Sequence, residues 1–125
     1  VMKNSRFRKG EIYLFDLADS YINVQSGLRP CLIIQNELGN IYSPTVIVVP
    51  ITTKIKKTDL PVHVMTENYF MGKKIMEIIL CEQILTVPKS RIKKYLRTLD
   101  KATLREVEKA IEVSLGIDVI GGDWD

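Results

Sequence analysis

Arg29 and Thr52 are the two residues whose types and settings best suit them to chemistry. Arg29 lies in Gly27-Leu28-Arg29-Pro30, at the mouth of an apolar run, Cys31-Leu32-Ile33-Ile34, that closes on Gln35-Asn36. Thr52 ends a second run, Thr45-Val46-Ile47-Val48-Val49-Pro50-Ile51-Thr52, with Thr53 and Lys54 behind it. Both runs are short, rich in β-branched residues and bounded by Gly, Pro or Asn, so they read as buried strands joined by a turn-rich stretch to Ser43-Pro44. If they pair antiparallel, Arg29 and Thr52 fall at the same end of a sheet. A guanidinium fork and a hydroxyl held there can receive a phosphate, the fork on its oxygens and the hydroxyl by one further hydrogen bond.

The other elements must hold that pair in place. Glu11 to Leu17 reads as a strand with apolar residues on both faces, and 18–26 as a long loop directly before Arg29, where Tyr21 could stack on a base. Lys54 to Asp59 is a polar, basic loop, Val62 to Met65 a short strand, and Asn68 to Lys74 a turn region around Gly72. Ile75 to Ile84 reads as one strand carrying Glu82 and Gln83, which are either satisfied core polars or base-reading groups. Pro88 ends it, and Ile92 to Leu99 is a weaker, basic strand. The one long helix starts at Asp100, a good N-cap, and runs to about Leu115, with Leu104, Val107, Ile111 and Leu115 on one face and Gly116 as the stop. Several short strands and a late helix predict a mainly β (α+β) domain over residues 1–116, a small curled sheet or SH3-like barrel, with 117–125 as a frayed tail.

At 125 residues the chain has room for one core but not for two comfortable ones. Nothing approaches the apolar length of a membrane span, and Val1 to Arg6 lacks the apolar stretch of a signal peptide, so a cytoplasmic protein is expected; Val1 ahead of Met2 reads as an expression scar. Cys31 and Cys81 each interrupt an apolar run and read as small buried hydrophobes. His63 is the only histidine; it stands alone in Leu60-Pro61-Val62-His63-Val64 and reads as a structural or hydrogen-bonding group. No cluster has metal-ligand spacing, so no metal or cofactor is expected. The net charge of +3 hides an asymmetry: residues 1–97 carry 15 Lys and Arg against 8 Asp and Glu, whereas 98–125 carry 3 against 7. Basic runs at Arg6 to Lys9, Lys54 to Lys57, Lys73-Lys74 and Lys89 to Arg97 point to an anionic polymer as partner.

Over nearly its whole length the chain resembles the MazF/PemK family of toxin endoribonucleases from bacterial toxin-antitoxin pairs. The resemblance is carried by Lys9-Gly10-Glu11-Ile12-Tyr13, Gly27-Leu28-Arg29-Pro30, Ile33-Ile34-Gln35-Asn36, Gly39-Asn40 leading into Tyr42-Ser43-Pro44-Thr45-Val46-Ile47-Val48, and Ile51-Thr52. It continues through Leu60-Pro61-Val62-His63-Val64, Leu80-Cys81-Glu82-Gln83-Ile84 and Ile111 to Gly116. Each piece alone is weak, but their order and spacing are jointly specific. The resemblance implies the MazF/PemK/CcdB-like barrel, a homodimer, and metal-independent cleavage of single-stranded RNA to a 2′,3′-cyclic phosphate and a 5′-hydroxyl. It also implies inhibition by a MazE-like antitoxin segment laid over the RNA groove, and DNA binding by the toxin-antitoxin complex.

By the same resemblance Arg29 and Thr52 are the catalytic residues. Gln25, Asn36, Thr53, Lys54, Glu82 and Gln83 are the candidate RNA contacts. One position departs from the family pattern: many relatives have a glutamate where this chain has Val24, just before Gln25, which leaves the base unassigned. Arginine side chains are poor bases near neutral pH, so Arg29 suits stabilisation of the phosphorane and proton donation, and Thr52 a hydrogen bond to a nonbridging oxygen. Two alternatives belong to other classes. One is a CcdB-like topoisomerase poison, to which Trp124 lends a faint likeness; the other is a noncatalytic nucleic-acid-binding or protein-binding barrel.

Overall fold

A computed structural model of the chain describes residues 7–17, 27–54 and 60–117. Strand β1 (Glu11–Asp16) pairs antiparallel with β2 (Leu28–Ile33), Phe15 opposite Arg29, and β2 pairs antiparallel with β3 (Thr45–Thr52), Cys31 opposite Pro50. Beyond β3 come β4 (His63–Phe70), β5 (Lys73–Leu80), β6 (Leu85–Pro88), a single 3-10 turn at Lys89–Arg91, β7 (Ile92–Thr98) and the helix α2 (Lys101–Leu115). The strand order is β4-β5-β3-β2-β1-β7, with β6 also on β3, so the sheet curls into a partial barrel whose path ends at β4 and β7.

Strand β3 is the hinge of this architecture. Its first half pairs with β6, Val48 opposite Leu85, and its last two residues pair with β5, Ile51 opposite Ile79 and Thr52 opposite Ile78. Pro50 sits at the change of partner. The carbonyl of Ile47 accepts the Ile34 amide from the β2 side, so by strand alternation residue 50 faces the β5/β6 side. A proline has no N–H to give. Here the missing donor faces the gap between β5 and β6, and a mid-strand proline costs no ladder bond to β2.

Two apolar clusters fill the molecule. Ile12, Leu32, Val49, Ile51, Val64 and Ile79 meet Val107 and Ala110 of α2, whereas Phe15, Leu17, Cys31, Ile33, Val46, Val48, Leu85 and Val87 pack on the opposite face. Each fully buried aliphatic or aromatic side chain contributes roughly 1.5–3 kcal/mol. The helix forms as expected: Asp100 caps it by accepting the Thr103 amide at 3.0 Å, and Gly116 ends it with φ 71°. Its buried face runs through Leu104, Val107, Ala110 and Ile111, but Leu115 is exposed.

Three expectations are corrected. The stretch before Ser43-Pro44 holds a six-residue helix, α1 (Glu37–Tyr42), capped by Asn36, whose Oδ1 accepts the Gly39 amide at 2.8 Å. Strand β4 does not stop at Met65: the hairpin runs on to Phe70 opposite Lys73, and only Met71 (φ 52°) and Gly72 (φ 79°) make the turn. Both central residues have positive φ, the two-residue geometry that matches strand twist. Lastly, β5 ends at Leu80, so Glu82 and Gln83 lie in the turn to β6 rather than inside a strand.

Candidate active site at the ends of strands β2 and β3

Arg29 and Thr52 lie just past the same end of one ladder. The β2–β3 pairing runs from Ile33–Val48 to Cys31–Pro50, and the next same-face positions on the two strands are Arg29, opposite Phe15 of β1, and Thr52, opposite Ile78 of β5. Phe15, fully buried, backs Arg29 from β1. Arg29 itself is half-buried, and Thr52 is buried at 8% exposure. Neither side chain stands on a loop.

The Thr52 hydroxyl is oriented by its own chain. Its Oγ1 accepts the backbone N–H of Lys54 at 3.0 Å. A hydroxyl has one proton and two lone pairs; with a lone pair engaged by the amide, the proton remains to be donated away from it. Thr53 and Lys54 are exposed immediately beyond, so a cation stands within two residues of the hydroxyl. Opposite, the chain enters β2 through Gly27, at φ 79°, and the Gly27 carbonyl accepts the Leu17 amide at 2.9 Å. Gln25, Val24 and Tyr21 lie outside the described residues.

The remaining sequence candidates fall elsewhere. Glu82 and Gln83 flank the middle of β3, because Ile51 pairs with Ile79 and Val48 with Leu85 on either side of their turn. His63 Nε2 meets Glu82 Oε2 at 3.3 Å, with His63 12% exposed and Glu82 36%. That fits the hydrogen-bonding role expected for His63; the partner was not legible, since 19 residues separate the two. Gln83 Oε1 is buried with no hydrogen-bond partner among the described residues. Asn36 is the α1 cap, past the far end of β2 and about 20 Å from Arg29 along the strand. The fold therefore gathers Arg29, Thr52, Thr53 and Lys54 at one end of β2 and β3, puts Glu82 and Gln83 at the middle of β3, and holds Asn36 at the far end of β2.

Cys31 lies two residues from Arg29, yet its thiol is no nucleophile. Burial pushes its pKa up to about 12, and the same cause raises Cys81 to about 12. Both are free, buried cysteines that act as packing groups, as expected from the sequence. Among the described residues no three His, Cys, Asp or Glu side chains gather as a metal-ligand set, and no helix is long and apolar enough to cross a membrane.

Comparison with known proteins places this geometry in a family. The model of the PemK-like, MazF-like toxins of type II toxin-antitoxin systems matches residues 8–115. The Endoribonuclease MazF of Staphylococcus saprophyticus is 45% identical over 115 residues, covering 90% of this chain and 94% of that protein. Among solved structures, MazF from Deinococcus radiodurans superposes with a TM-score of 0.73 at 20% identity, over 88% of this chain and 96% of that one. A mycobacterial endoribonuclease in complex with its cognate antitoxin gives 0.72 at 24% identity, over 90% and 97%. At such identities these structures speak for the fold, which is the one expected from the sequence. With its family model spanning Arg29, Thr52 and the helix, the chain belongs to the PemK-like, MazF-like toxins of type II toxin-antitoxin systems.

Proposed function

We propose that this endoribonuclease toxin cuts single-stranded RNA at the Arg29–Thr52 end of the sheet, without a metal, by attack of a ribose 2′-hydroxyl on the adjacent phosphorus. The observation that carries this reading is that Arg29 and Thr52 lie at the same end of two paired strands, with a lone pair of the Thr52 hydroxyl held by the Lys54 amide. The 2′-oxygen forms a bond to phosphorus as the bond to the 5′-oxygen breaks. The products are a 2′,3′-cyclic phosphate and a 5′-hydroxyl, the 2′-proton going to a base and the 5′-oxygen gaining a proton. Arg29 stabilises the doubly charged phosphorane and supplies that proton, and Thr52 donates to a nonbridging oxygen. Intramolecular attack has the effective-molarity advantage that a small catalytic set requires.

Around this centre Thr53 and Lys54 would take flanking phosphates. Glu82 and Gln83, in the turn beside the middle of β3, would read bases. The protein works in the cytoplasm as a homodimer whose two-fold seam builds the groove, and an antitoxin segment blocks it.

One experiment tests the mechanism. In excess EDTA, the purified protein should cut an RNA strand at a mapped bond; the same strand with a single deoxyribose 5′ to that bond should bind, stay whole and compete. Cleavage of the deoxy strand at comparable rate would make water the nucleophile. Loss of all cutting in EDTA, restored by magnesium, would overturn the metal-free reading. An RNA that binds without being cut under any condition would support the noncatalytic barrel.

A further inference from the structure

The outer half of the β4–β5 hairpin projects past the core with an unusual surface. Val64 and Ile79 at its base are buried, but Tyr69 is 65% exposed, Phe70 64% and Met71 87%. Lys73 and Lys74 are exposed beside them, and Lys74 Nζ meets Glu67 Oε2 at 3.3 Å. The ladder is regular from His63–Leu80 to Phe70–Lys73, so faces can be followed along it. Thr52 lies opposite Ile78, which lies opposite Met65. Alternation then sets Met76 and Glu67, and after them Lys74 and Tyr69, on the same face as Thr52. Four residues separate Ile78 from Lys74, about 13 Å along the strand. An exposed aromatic ring and an ammonium thus stand on the catalytic face, a few nucleotides from the phosphate to be cut.

We infer that Tyr69 and Lys74 form a flanking-nucleotide subsite, in which Tyr69 stacks on one base of single-stranded RNA beyond the scissile bond and Lys74 takes a neighbouring phosphate. Charge selects this occupant: Lys73 and Lys74 face Glu67 at the end of the ribbon, and Arg97 and Asp100, which share a hollow with Glu67 and Tyr69, add no net charge to that balance. A second copy docked here about a two-fold axis would bring like charges together. Ring-on-base stacking tolerates any base, so the subsite adds affinity rather than sequence choice. It belongs to the groove proposed above and stands only if RNA is cut there.

The test compares an unstructured RNA of known cut site with the same RNA trimmed to the shortest fragment still cleaved. Tyr69→Ala should raise KM on the long RNA about tenfold, leave kcat unchanged and leave the trimmed RNA unaffected. Tyr69→Phe, which keeps the ring, should restore the wild-type KM, and Lys74→Ala should flatten the salt dependence of binding. Equal KM for wild type and Tyr69→Ala on the long RNA overturns the subsite while cleavage stands. A loss shared by both RNAs makes Tyr69 structural and overturns it too, as does a Tyr69→Ala effect confined to self-association or to antitoxin binding. A wild-type protein that cuts neither RNA removes the proposed reaction and the subsite together.

Discussion

Arg29 and Thr52 stand at the ends of strands that are paired on both sides along their length, whereas Tyr69 and Phe70 stand on a ribbon that pairs only with itself. Strand β2 is held between β1 and β3, and β3 between β2 and the β5–β6 edge. The outer hairpin has one ladder and a two-residue turn. The difference teaches where a fold can keep geometry and where it can keep only reach. Positioned catalysis loses rate when a group drifts by about an ångström, so such groups belong on doubly paired strands. A stacking contact tolerates adjustment and can stand on the ribbon.

Four substitutions would break or sharpen that contrast. Arg29→Ala should lower the cleavage rate about 10²–10³-fold, the usual loss for a preorganised charge stabiliser, with an unchanged melting curve. A folded variant cutting within a few fold of wild type would strip Arg29 of its role. Arg97→Met should act on stability instead. Arg97 Nη2 meets Glu77 Oε1 at 2.8 Å and ties β7 to β5 across the open side of the barrel, with Glu77 only 11% exposed. Leaving that carboxylate unpartnered should cost roughly 1–3 kcal/mol in urea unfolding, while the folded enzyme keeps its rate. Thr52→Ala should slow cleavage by about 10- to 100-fold, the worth of one hydrogen bond to a charged oxygen, and Thr52→Ser should recover most of it. If alanine and serine are equally impaired, the methyl rather than the hydroxyl matters. The smallest effect is expected at the hairpin tip. Met71→Asn relieves a side chain held at φ 52° and should stabilise by up to about 0.5–1 kcal/mol without changing turnover on trimmed RNA.

The antiparallel pairing of β2 and β3, which brings Arg29 and Thr52 to one end of the sheet, was legible because two strongly apolar runs leave little freedom in register. The helix was legible from its caps, Asp100 and Gly116. What stayed hidden depends on distant partners. Helix α1 is too short for periodicity to speak, and Gly39 argues against it; tertiary bonds hold it. Gln35 Nε2 reaches Asn40 Oδ1 at 3.2 Å, and Lys89 Nζ reaches the carbonyls of Gly39 and Asn40 at 3.3 and 2.6 Å. Burial there lowers the Lys89 pKa below its ordinary value. The hairpin turn escaped notice because Met71 is not a residue that turn chemistry favours. The end of β5 was masked by an apolar run that continues through Cys81, though the chain turns there. Glu82 was therefore read in the wrong element, and its contact with His63 needed the β4–β5 register to emerge.

The first strand of this chain depends on the last. Glu11 pairs with Thr98, and the Leu99 amide donates to the Gly10 carbonyl at 2.8 Å. A ribosome delivers the chain from its N-terminus at about 5–20 residues per second, so β1 emerges early and must wait for β7 before its outer edge is covered. Until then Phe15, which backs Arg29, rests on a half-built sheet. The β1 end of the sheet, and with it the support behind Arg29, is therefore completed only once β7 has been made.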